Sequence, residues 1–156
     1  MIAATGIPAA INRGAYYFTN LDAMLGAARS GVLLTPFPPD LRIPMVSPND
    51  LAKAAATRLS SSVEDIGVRY IEGPERYMFA DVVAAFSRML GKSVEIAQIP
   101  REEIEQSFRA LGFSEPAAEA YTRMTLSTIE DPDLPDDPDR GSITLEQYLA
   151  TLAAAR

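Results

Sequence analysis

Apolar residues recur at helical spacing over residues 79–90, where Phe79, Val82, Val83, Phe86, Met89 and Leu90 form one stripe that Gly91 ends. A second helix is predicted over 101–111, with Glu102 and Glu103 in its first turn, Ile104, Phe108 and Leu111 as its buried face, and Gly112 as its stop. Ser47-Pro48-Asn49-Asp50 reads as a helix start: Ser47 can cap, Pro48 fits the first turn, and Asp50 sits at the reciprocal capping position. Leu51, Ala54, Ala55 and Leu59 then make a small-residue apolar face. The last helix begins with a capping box of Thr144 and Gln147, flanked by Ile143 and Tyr148 as a hydrophobic staple, and continues through Leu145, Leu149 and Leu152. Weaker periodicity predicts helices over about 115–130, carrying Ala117, Tyr121 and Met124, and over about 17–29.

Short apolar runs at Ala9–Asn12, Ile43–Val46, Val68–Ile71 and Val94–Ile99 read as strands. They alternate with the helices, so the expected class is α/β with short, mostly parallel strands and five or six helices. Two connections are long: residues 35–48 hold five prolines, and residues 130–140 hold three prolines and six acids. The 156 residues, 47% of them hydrophobic, predict one globular domain over 1–156 whose segment 130–141 is an acidic, proline-rich loop.

The net charge of −7 argues against nucleic-acid binding, which needs clustered Lys and Arg. No apolar run approaches the ~20 residues of a membrane span, and the first residues lack a basic-then-apolar leader, so a cytoplasmic protein is expected. With no cysteine and no histidine, disulfides, thiolate nucleophiles, Ser-His-Asp triads and ordinary zinc sites are all excluded. A self-contained hydrolase does not fit this composition.

Local motifs resolve mostly into structure. Gly91-Lys92-Ser93 lacks the earlier glycine of a phosphate-binding loop, since position 86 is Phe, and it follows a helix rather than a strand; it reads as a helix stop. The run from Glu130 to Asp139 has prolines where a calcium loop needs alternating oxygens, and reads as a stiff solvated loop. Tyr16-Tyr17-Phe18 follow a predicted strand, as core packing or as a pocket wall at its carboxyl end. Tyr121 and Met124 read as core on their periodicity. No two of the nine glycines stand two or three residues apart, which rules out the Gly-rich dinucleotide fingerprint, and none of the six tyrosines has a lysine four positions later.

The order of segments resembles the C-terminal half of NmrA-like proteins, atypical short-chain dehydrogenase/reductases with a Rossmann fold. The resemblance is carried by Thr5-Gly6-Ile7-Pro8, the strand to Arg13, Tyr16-Tyr17-Phe18 with Thr19-Asn20, Val46 with Asp50-Leu51-Ala52, Tyr70 with Gly73-Pro74-Glu75, the helix and strand over 79–99, and Thr144 to Leu149. It implies a partial Rossmann-like fold that lacks the N-terminal half with the Gly-rich loop. It also implies a pocket on the substrate or nicotinamide side, with Arg13, Gly14, Tyr16, Tyr17, Asn20 and Tyr121 as candidate residues. No catalytic residue and no metal ligand is assigned. Two positions depart from the family pattern: Gly14 replaces a Pro, loosening the wall beside a nicotinamide, and Met78 replaces a capping Thr or Ser.

The resemblance implies NAD(P) as the cofactor of full-length relatives and no cofactor for this chain alone. Three function classes follow. The chain is a small-molecule-binding module, or half of an oxidoreductase or redox sensor completed by a longer chain or a partner, or an oligomeric structural remnant. Arg13 is the only charge between Met1 and Leu21, so the N-terminal strand is expected to pair with its copy in a homodimer.

Overall fold

A computed structural model describes residues 2–132 and 134–154; Asp133 of the acidic segment lies outside them. Short strands and helices alternate as β1 (Ala10–Gly14), β2 (Tyr16–Tyr17), α1 (Leu25–Ser30), β3 (Val32–Thr35), β4 (Ile43–Val46), α2 (Pro48–Leu59), β5 (Gly67–Glu72), β6 (Arg76–Tyr77), α3 (Phe79–Leu90), β7 (Glu95–Gln98), α4 (Ile104–Ala110), α5 (Glu115–Glu130), β8 (Asp139–Arg140) and α6 (Leu145–Ala154). The fold is α/β, and the pairings β1–β5, β5–β8, β2–β4 and β3–β7 all run parallel. Among the described residues no helix is long and apolar enough to cross a membrane. The chain divides into two compact units: Met1–Ala23 with Pro44–Arg76 and Pro135–Arg156, and Met24–Ile43 with Tyr77–Leu134.

In the first unit β5 is the central strand of a three-stranded sheet, with β1 and β8 at the two ends. α2 starts as its sequence dictates, the Ser47 hydroxyl accepting the Asp50 N–H at 3.0 Å. The Asp50 carboxylate accepts instead from the Ser47 hydroxyl at 3.0 Å and from the Ile143 N–H at 3.0 Å, so a local cap becomes a long-range tie. The apolar face read from α2 needs correction at its end: Leu59 is 89% exposed and Arg58 is buried. Arg58 donates to the carbonyls of Ile11 at 2.8 Å and Gly67 at 2.7 Å and to the Asn12 side chain at 3.1 Å. A charge that bridges the amino ends of β1 and β5 satisfies backbone groups that a leucine could not. The box at the start of α6 closes in both directions, Thr144 N–H to Gln147 at 2.9 Å and Gln147 N–H to Thr144 at 3.2 Å, with Leu145 and Leu149 buried beneath.

The acidic segment is not simply solvated. Its end forms β8, where Asp139 and Arg140 stand opposite Ile71 and Glu72. The Gly141 N–H donates to the Glu72 carbonyl at 2.6 Å. Buried Glu72 receives Arg76 through two bonds of 2.8 and 3.0 Å and lies 3.4 Å from Arg140, while Arg76 also donates to the Pro135 carbonyl. A buried carboxylate must be paired, and here its partners hold the segment down.

In the second unit β3 and β7 pair from Val32–Glu95 to Thr35–Gln98. α3 buries Phe79, Val82 and Phe86 completely, and Phe37 stacks on Phe79 at 5.2 Å. Gly31 ends α1 with φ of 100°, a left-handed turn that favours glycine, and sends the chain into β3. The helix expected over about 17–29 is a 3₁₀ helix over Phe18–Met24 followed by α1. The helix over 101–111 opens as a 3₁₀ turn over Arg101–Glu103; it buries Ile104, whereas Leu111, at its C-cap, is 72% exposed.

Candidate functional site

Five of the six expected pocket residues lie on one stretch at the carboxyl end of β1. Arg13 stands opposite Tyr70 of β5, its guanidinium 5.1 Å from the ring centroid and 3.1 Å from the hydroxyl. Gly14 ends β1, and the following Ala15 N–H donates to the Ile71 carbonyl at 3.0 Å. A Cβ on Gly14 would stand 2.9 Å from the Tyr17 ring and 3.3 Å from Leu51. The space that a side chain would take at Gly14 is filled by Tyr17 and Leu51.

β2 pairs Tyr16 with Met45 and Tyr17 with Val46. The three aromatics differ in burial: Phe18 is fully buried and stacks on Tyr148 at 5.2 Å, Tyr16 is half-buried, and Tyr17 is 45% exposed. Burial pushes the Tyr16 phenol up to about 12, against an opposing hydrogen bond with the Asn20 side chain, so it is neutral at physiological pH. Asn20 is exposed. The sixth residue, Tyr121, belongs to the second unit, where it packs edge-on against Phe113 at 4.9 Å and tilted against Phe108 at 5.6 Å. Tyr121 and Met124 are 45% and 57% exposed, so they are surface rather than core.

Could these strand ends hold a dinucleotide? A pyrophosphate needs a glycine-lined turn into a helix N-terminus, where N–H groups and the dipole face the anion. The turn from β4 into α2 is Ser47-Pro48-Asn49-Asp50, and buried Asp50 already sits in the first turn. Ahead of α3 the Asp81 carboxylate accepts the Met78 N–H at 2.8 Å. Gly73, before β6, is there for packing, since a Cβ would meet the Met45 carbonyl oxygen at 2.7 Å. The turn out of β7 carries Glu102 and Glu103. Carboxylates occupy these junctions, and the residues present do not fit a pyrophosphate. Among the described residues no group of three or more side chains is placed to hold a metal.

A second feature lies within the other unit. The carboxyl ends of β3 and β7 open into a partly exposed cleft of about 200 Å³, walled by Pro36, Ile99, Ile104, Leu126 and Ile129 with Gln98 and Arg101. Sequence reading missed it. Its wall comes from three separate segments, and Ile104, Leu126 and Ile129 carry the same signal as core positions.

The comparisons with known proteins follow the fold. A family model described as the NmrA-like family matches residues 1–134. No curated protein matches. Among solved structures, an NADPH-dependent quinone oxidoreductase from Escherichia coli, in complex with NADPH, is similar with a TM-score of 0.79 and 20% identity, over 97% of this chain and 56% of that one. A triphenylmethane reductase from Citrobacter sp., in complex with NADP(H), gives 0.78 and 21% over 97% and 55%. A nucleoside-diphosphate-sugar epimerase from Staphylococcus aureus gives 0.70 and 21% over 95% and 54%. At these identities the likeness is one of fold. The chain spans little more than half the length of each.

Proposed function

The chain belongs to the NmrA-like family, and from that premise we propose that it is the substrate-side half of an NAD(P)-dependent oxidoreductase or redox sensor, binding a small organic ligand and inactive alone. One observation carries the reading. The strands run parallel as in a Rossmann sheet, yet the turns into α2 and α3 are filled by Asp50 and Asp81 instead of opening to a phosphate. The half that is present supplies a pocket wall at the end of β1, with Tyr16 as a neutral hydroxyl beside Asn20. The dinucleotide would supply hydride to a substrate, and in this reading another half holds it.

The test is the rate of NADPH oxidation by the purified chain with menadione as acceptor. The expected result is no oxidation above the protein-free rate. Turnover that scales with protein concentration would overturn the reading.

A second feature of the reading rests on β1, which is an end strand of its sheet among the described residues. Parallel strands are normally covered on both sides, and an end strand is a template for pairing. In this reading β1 pairs with its copy in a homodimer.

A further inference from the structure

The geometry points to a ligand subsite in the cleft at the carboxyl ends of β3 and β7, for a neutral, flat compound of one or two fused rings bearing a carbonyl or hydroxyl oxygen. Open α/β sheets take ligands at strand carboxyl ends. Here Thr35 and Gln98, opposite each other in register, are the last residues of the two strands. The site lies wholly within one compact unit and needs no dinucleotide, so it does not depend on the oxidoreductase reading.

Size, polarity and charge each narrow the ligand. An apolar cavity of roughly 150 Å³ holds benzene; at about 200 Å³, partly open to solvent, this cleft admits a somewhat larger ring system with a protruding substituent. Five of its seven lining residues are apolar, so ring burial is the main attraction. Gln98 offers an amide able to donate to a carbonyl or accept from a hydroxyl. Arg101 is the one cation in the lining, and it is paired with Glu130. With its charge already taken by Glu130, it leaves no free positive charge in the lining to compensate a carboxylate, so the cleft favours a neutral ligand.

The test titrates coumarin and, separately, coumarin-3-carboxylate into the methyl-labelled chain, following the methyl resonances of Ile99, Ile104, Leu126 and Ile129. Coumarin should give saturable shifts at these methyls with a dissociation constant below about 1 mM, and the carboxylate should bind at least about tenfold more weakly. Gln98→Ala, on the rim, should weaken coumarin about fivefold while the fold is retained. Ile129→Trp, which fills the cleft with an apolar ring, should abolish the saturable shifts. The inference is overturned if these methyls do not respond, if the carboxylate binds as tightly as coumarin, or if both variants leave the affinity unchanged. NADPH oxidation does not enter the readout, so either proposal can fail without the other.

Discussion

The carboxylate of Asp50 accepts the backbone N–H of Ile143 at 3.0 Å, joining the first turn of α2 to a residue 93 positions later. Burial by itself raises this carboxyl, but bonds from Ile143, Ser142 and Ser47, with Lys53 nearby, together hold it below its ordinary value of 3.8. A carboxyl lowered in the folded state contributes stability that is present above its unfolded value and lost as pH falls. Asp50→Asn should cost about 2 kcal/mol at neutral pH and flatten the acid limb of the stability profile. Urea unfolding of both proteins at neutral and acidic pH measures this; an equal loss at both pH values would contradict it.

Arg58 and Leu59 exchange the roles their types suggest. Arg58→Met should destabilise the fold by about 3 kcal/mol, because the carbonyls of Ile11 and Gly67 lose their donor. Leu59→Lys should stay within about 0.5 kcal/mol of the parent. Denaturant midpoints of the two variants give the answer, and the reverse ranking would refute the assignment.

The same pair marks what could be read in the sequence. α2 and α6 begin where Ser47-Pro48-Asn49-Asp50 and the Thr144–Gln147 box predict, because capping is local chemistry. β2, β6 and β8 have two residues each and exist only through their partners, so no window of sequence carries them. Arg58 is buried by acceptors from β1 and β5, and periodicity sees only that an Arg beside a Leu belongs outside. At the candidate site Arg13 to Asn20 are contiguous and were legible together. Tyr121 sits in the other unit, and the cleft is assembled from residues 36, 98–104 and 126–129.

Met78 precedes α3 with a thioether in place of a hydroxyl or carboxylate acceptor, while its own N–H is held by Asp81. Met78→Thr supplies the missing acceptor and should stabilise the fold by about 1 kcal/mol. Thermal and urea unfolding check it; a loss of stability would show that methionine packing decides the position.

For the dimer through β1, sedimentation equilibrium at micromolar concentration should give the mass of two chains. Ala10→Lys, at an exposed position of that strand, should shift the equilibrium toward monomer. A monomer whose amides over residues 7–20 resist exchange would contradict the pairing.

In the function proposed above, this chain presents the substrate side of the fold and binds no dinucleotide by itself, the starts of α2 and α3 being taken by Asp50 and Asp81. Isothermal titration calorimetry with NADPH addresses it directly. No saturable binding tighter than about 10 μM, roughly −7 kcal/mol, is expected. A one-site isotherm tighter than that would contradict it.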